Sequence, residues 1–111
     1  MESNNWSKEE MIAYILLFAA NSNFIESNKE RNIIISKVDM DTFQRIHDEF
    51  GQDNDYQSLQ KIQNGLIQHN YTPEHIDQLL TEIKLLFYAD GEFDHLEQHM
   101  FLYLKRIMRI D

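Results

Sequence analysis

Three glycines and one proline punctuate 111 residues, and no other feature constrains this chain as tightly. A β sandwich needs a turn about every 8–12 residues, and such turns draw on glycine and proline for their special backbone angles. Long unpunctuated stretches favour helices instead. The length suits one domain with a single core, burying roughly 65% of the surface of the unfolded chain. With no cysteine present, disulfides, thiolate catalysis and sulfur-ligated zinc are excluded.

Charge narrows the partners. Ten basic residues face nineteen acidic ones, a formal net charge of −9. A nucleic-acid backbone releases no counterions onto such a surface, so sequence-independent binding to it is not expected, and anionic membranes are disfavoured for the same reason. Divalent cations and basic protein segments are what this field attracts, although charge of this size also serves simply to keep a small domain in solution. The longest apolar run, residues 11–20, is half the length that spans a bilayer. The first six residues lack the basic patch and apolar stretch of a signal peptide, so the expected location is the cytoplasm.

Periodicity and caps predict six helices. Ser7 and Glu10 form a capping box, with Trp6 and Met11 spaced for a hydrophobic staple. Ile12, Ile15, Leu16 and Ala19 mark a buried face that Leu17 and Phe18 widen, which places this helix centrally. Asn21-Ser22-Asn23 ends it. Ser27 and Glu30 repeat the box ahead of Ile33-Ile34-Ile35, a run that could pass for a strand but follows a helix start. Asp39 caps a third helix carrying Met40, Phe43, Ile46, His47 and Phe50, with Gly51 predicted as its left-handed terminator. After an Asp53-Asn54-Asp55 turn, the fourth helix shows Tyr56, Leu59, Ile62 and Leu66, with Gly65 as a weak spot. Thr72 and Pro73 start the fifth, whose core face is Ile76, Leu79, Leu80, Ile83, Leu86 and Phe87. Asp94 and Glu97 box the sixth, with Leu96, Met100, Tyr103, Leu104 and Ile107 inward. The predicted fold is an all-α, compact six-helix bundle.

Two stretches resemble each other. Leu17-Phe18-Ala19-Ala20-Asn21-Ser22-Asn23-Phe24 aligns with Leu86-Phe87-Tyr88-Ala89-Asp90-Gly91-Glu92-Phe93. Each ends an apolar helix, turns through polar residues closed by phenylalanine, and enters a boxed helix. Two pseudo-symmetric helix–turn–helix hairpins are the physical reading. The second copy, continued through Asp94-His95-Leu96-Glu97, resembles the Ala-Asp-Gly-x-hydrophobic-x-x-x-Glu signature of the tellurite-resistance TerB-like family. That resemblance spans essentially the whole chain and implies an all-helical domain in a stress-response setting. It also implies that acidic residues of both turns gather on one surface to hold a metal ion. Asp90 and Glu97 match the motif, and Glu30 is the counterpart of Glu97; in the first copy, Asn21 and Ser22 stand where aspartate and glycine would be.

From the residues themselves, Asp94, Glu97 and Glu30 have a full explanation as helix caps. Asp90 is different, because it sits at a helix C-terminus, where the dipole disfavours an anion. An Asx turn or a bound cation resolves that conflict. The loop is not an EF-hand; the metal set that the resemblance implies is Asp90, Asp94, Glu97 and Glu30, holding a divalent cation weakly with water completing the shell. His95 and His99 have chelate spacing but no third nitrogen ligand nearby. His47, His69 and His75 are scattered. No phosphate loop, serine-nucleophile motif or cysteine is present, and catalysis is not expected. Three functions are weighed: a weak divalent-cation module, a protein-interaction domain with no ion and, least expected, a small metal-dependent hydrolase. Gly91 provides a local check. Its replacement by alanine is expected to lower stability by about 1 kcal/mol if the turn uses a left-handed residue, and an unchanged denaturant midpoint would show that it does not.

Overall fold

The helix that follows Ser7 organises everything else. The computed structural model describes residues 6–21, 28–88 and 95–108, without the side chains of residues 28–31, 87 and 95–97. It contains six helices: α1 (Lys8–Ala20), α2 (Asn28–Lys37), α3 (Met40–Gln52), α4 (Asp55–Gln68), α5 (Pro73–Phe87) and α6 (His95–Met108). No strand occurs among the described residues. In α1 every residue from Ala13 to Ala20 is buried, while the expected face residue Ile12 is only half-buried. A helix apolar on all sides must be surrounded, and α1 packs against each of the other five helices. The isoleucine run is helical, with Ile34 fully buried and its neighbours half-buried.

Three of the expected caps are present. Ser7 and Glu10 form the box at α1, Asp39 accepts from the Thr42 N–H at 2.7 Å, and Thr72 caps α5 ahead of Pro73. Ser27, Asp94 and Gly91 lie outside the described residues. One terminator differs from expectation. Gly51 does not end α3, which runs on to Gln52 and is capped by Asp53 in an extended conformation. The connection to α4 is correspondingly short, since Asn54 already caps α4 through a box with Gln57 and Asp55 is its first residue. Among the described residues the left-handed one is Asn70, at φ 54°, after α4. There the Asn70 N–H donates to the Ile67 carbonyl and the Tyr71 N–H to the Leu66 carbonyl, the paired bonds of a Schellman ending.

The inward face of α4 also differs. Tyr56 is 69% exposed, and the buried positions are Ser58, Ile62, Gly65 and Leu66. Ser58, a polar residue, faces inward because it meets a buried hydroxyl on α1. Gly65 is a point of close approach: a Cβ there would lie 3.2 Å from Met11 Cγ and Sδ and from Trp6 Cε3. Tyr103 and Met40, also expected inside, are exposed, whereas Met108 is fully buried.

The two described glycines should therefore respond in opposite directions. Gly51 is helical, with nothing within 4 Å of an added Cβ, so Gly51→Ala is expected to stabilise the domain by about 1 kcal/mol. Gly65→Val crowds Met11 and the rigid Trp6 ring, and overpacking of this kind costs about 1–3 kcal/mol. Urea midpoints of both variants, moving apart around wild type, are the check.

Candidate functional site

Three regions can carry function: the acidic segment before α6, a polar cluster between α1, α3 and α4, and a groove between α2 and α3. Of the metal candidates, Asp90 and Asp94 lie outside the described residues. Glu30 and Glu97 fall in the first turns of α2 and α6, and their side chains lie outside the description as well. No group of three or more His, Asp or Glu side chains that could hold a metal ion occurs among the described residues.

In the stretch 17–24, the described residues end at Asn21. Asn21 is the C-cap of α1, and its side-chain Nδ2 donates to the Leu17 carbonyl at 2.9 Å while its backbone N–H does the same. A carboxylate has no proton for that bond, and its charge would sit at the negative end of the helix dipole. The amide at this place is thus suited to closing the helix.

The polar cluster was not foreseen. Tyr14 is fully buried in α1, and its hydroxyl donates to Asp53 Oδ2 at 2.6 Å. With that single proton used, the 2.9 Å contact to Ser58 has the serine hydroxyl as donor. Lys61 bridges Asp53 at 2.8 Å and Glu49 at 2.9 Å, and its ammonium lies 5.9 Å from the centre of the Tyr14 ring. Glu49 also accepts from the Trp6 indole N–H at 3.2 Å, and the Trp6 carbonyl accepts from His69 Nε2 at 2.9 Å. Below these groups the Trp6 and Tyr14 rings lie 4.7 Å apart, and Phe50 meets Tyr14 edge-on at 5.5 Å. Burial, reinforced by the Asp53 carboxylate, raises the Tyr14 pKa far beyond the ordinary phenol value, so the hydroxyl stays protonated. Burial works against the Lys61 charge, but its hydrogen bonds to Asp53 and Glu49 outweigh it and raise its pKa. Each titratable group in the cluster is committed to another, which makes the cluster a clamp holding the N-terminal segment and α1 to α3 and α4. The sequence signal was Tyr14 itself, a hydroxyl inside the apolar run, which must find a partner when buried.

The groove is lined by Ile35 from α2 and by Met40, Phe43, Gln44, His47 and Asp48 from α3, and encloses about 490 Å³. Phe43 forms its buried floor, with the His47 ring 5.4 Å away, and Met40 stands at its edge, 51% exposed. The side chain of His95 lies outside the description, and the other described histidines show no gathering: His69 ends α4, His75 sits in the first turn of α5, and His99 is exposed on α6.

No protein-family model, curated protein or solved structure matches the chain. Among the described residues no helix is long and apolar enough to cross a membrane.

The clamp makes a direct prediction. Tyr14→Phe removes the hydroxyl while keeping the ring, leaving Asp53 and Ser58 short of a partner, so the domain is expected to lose about 1.5–3 kcal/mol with its helix content unchanged. Denaturant unfolding followed by circular dichroism measures both, and a loss near zero would show that solvent replaces the hydroxyl freely.

Proposed function

We propose that the chain is a small non-catalytic module of the TerB-like kind, acting in a tellurite or stress-response context, that binds a divalent cation weakly at the acidic turn between α5 and α6. The observation that carries this reading is segment 89–97, Ala-Asp-Gly-Glu-Phe-Asp-His-Leu-Glu, placed between two helices that pack against each other. A second packed pair, α1 with α2, carries the weaker copy. In this reading the two hairpins are related by an approximate two-fold axis, and Asp90, Asp94 and Glu97 meet Glu30 on one surface. Few carboxylates and several waters give low affinity. The dipole conflict at Asp90 is what a cation would relieve.

The second reading is a protein-interaction domain with no ion. It is favoured by large apolar side chains left in solvent on an acidic surface: Tyr56, Ile67, Leu85 and Leu102 are each at least 60% exposed. Calorimetric and thermal-shift titrations with Mg²⁺, Ca²⁺, Mn²⁺ and Zn²⁺ in chelator-treated buffer separate the two. A bound ion raises the melting temperature by mass action, and Asp90→Asn is expected to abolish that rise while leaving metal-free stability equal or slightly higher. Absence of heat and of any shift in wild type up to about 1 mM cation removes the ion, since the site would then be weaker than about −4 kcal/mol. The interaction reading would then stand alone.

A further inference from the structure

The groove on α3 and the outer face of α6 are complementary, and we propose that a second copy of this chain docks there, the exposed side chains of its α6 entering the groove between α2 and α3. This deepens the interaction reading by naming the partner. The groove offers an apolar floor, Phe43 and Ile35, with Met40 at the edge. Asp48 lines the groove beside Gln44, and Asp41 stands about two turns back on the same stripe of α3, so this side of the groove carries acidic charge. The ion pairs of the nearby cations point away from the groove lining: Lys37 pairs with Glu82 at 2.9 Å and Arg45 with Glu10 at 2.6 Å.

The matching surface is on α6. Leu102 is 62% and Tyr103 41% exposed, and one turn on stand the exposed Lys105 and Arg106. From Gln98 to Met108 no acidic residue interrupts them, which reverses the sign of the charge in a chain with nearly twice as many acids as bases. Apolar anchors followed one turn later by cations are what a groove with an acidic rim recognises in a helix. Overall repulsion between two acidic molecules confines attraction to this one pairing.

The two surfaces lie on different sides of the bundle. α3 packs against α1 and α2, while α6 packs against α1, α4 and α5. Their contact is therefore heterologous, each molecule using its groove on one neighbour and its α6 on another. So small a contact is weak.

Sedimentation velocity of the full chain from about 1 μM to about 1 mM, the span of weak contacts, is the test. The wild-type coefficient is expected to rise with concentration past that of a dimer. Met40→Glu blocks the groove and Leu102→Glu blocks the anchor; both positions are exposed, and each variant is expected to remain monomeric with an unchanged circular dichroism spectrum. Mixed in equal amounts, the two should form a 1:1 complex, because each keeps the half the other lacks. Should either variant fail to fold, Asp48→Lys at the exposed rim, weakened alone and restored by pairing with Lys105→Glu/Arg106→Glu, makes the same test. A wild type monomeric throughout overturns self-association while leaving interaction with other proteins standing. A dimer lost in Leu102→Glu but kept in Met40→Glu is a symmetric α6 contact and overturns the groove's part. A mixture that forms no complex overturns the pairing.

Discussion

Burial of α1 on every side is the constraint from which the rest of the architecture follows. Eight consecutive residues, Ala13 to Ala20, expose almost nothing, so the other five helices must together form a closed sleeve. Each fully buried Leu, Ile or Phe side chain contributes about 1.5–3 kcal/mol, which makes this one helix the largest source of cohesion in the domain. The outer helices need only one apolar stripe apiece. Their solvent faces are thereby released for charge and for exposed side chains such as Leu85 and Leu102.

A central apolar rod has no intrinsic register, because rotating or sliding it changes which apolar atoms touch without exposing polar ones. Tyr14 supplies the register. Its hydroxyl must reach Asp53 and Ser58, which fixes both the rotation of α1 and its position along its axis. Trp6 performs the same task at the helix start, resting against Gly65 and reaching Glu49. Lys61 joins the two by bridging both carboxylates. The clamp is thus where a non-directional core acquires a unique geometry.

Sequence pattern resolved the local features better than the long-range ones. The α1 and α5 starts at Ser7 and Thr72 were legible because a cap and the residue it serves lie three positions apart. Gly51 misled because an exposed helical glycine and a terminating one look alike without knowing where Asp53 must go. Gly65 and Ser58 were opaque for a related reason: what makes them small or polar is a side chain on α1, more than forty residues away. The clamp shares that property, since Asp53 and Glu49 read locally as turn and surface acids. The acidic segment before α6 is legible as a motif, through Asp90, Gly91 and Glu97, because capping and cation binding ask for the same side chains.

The order in which the pieces leave the ribosome sets a problem of its own. The most apolar helix precedes the other five, and the sleeve around it is completed only when α6, ending at Met108, has been made. At roughly 5–20 residues per second, the interval is on the order of 5–20 seconds. Throughout it, α1 is a sticky segment with part of its cover missing. Nascent chains of this design depend on whatever shields such a segment in the cell, and their yield is governed by that window as much as by the depth of the final energy well.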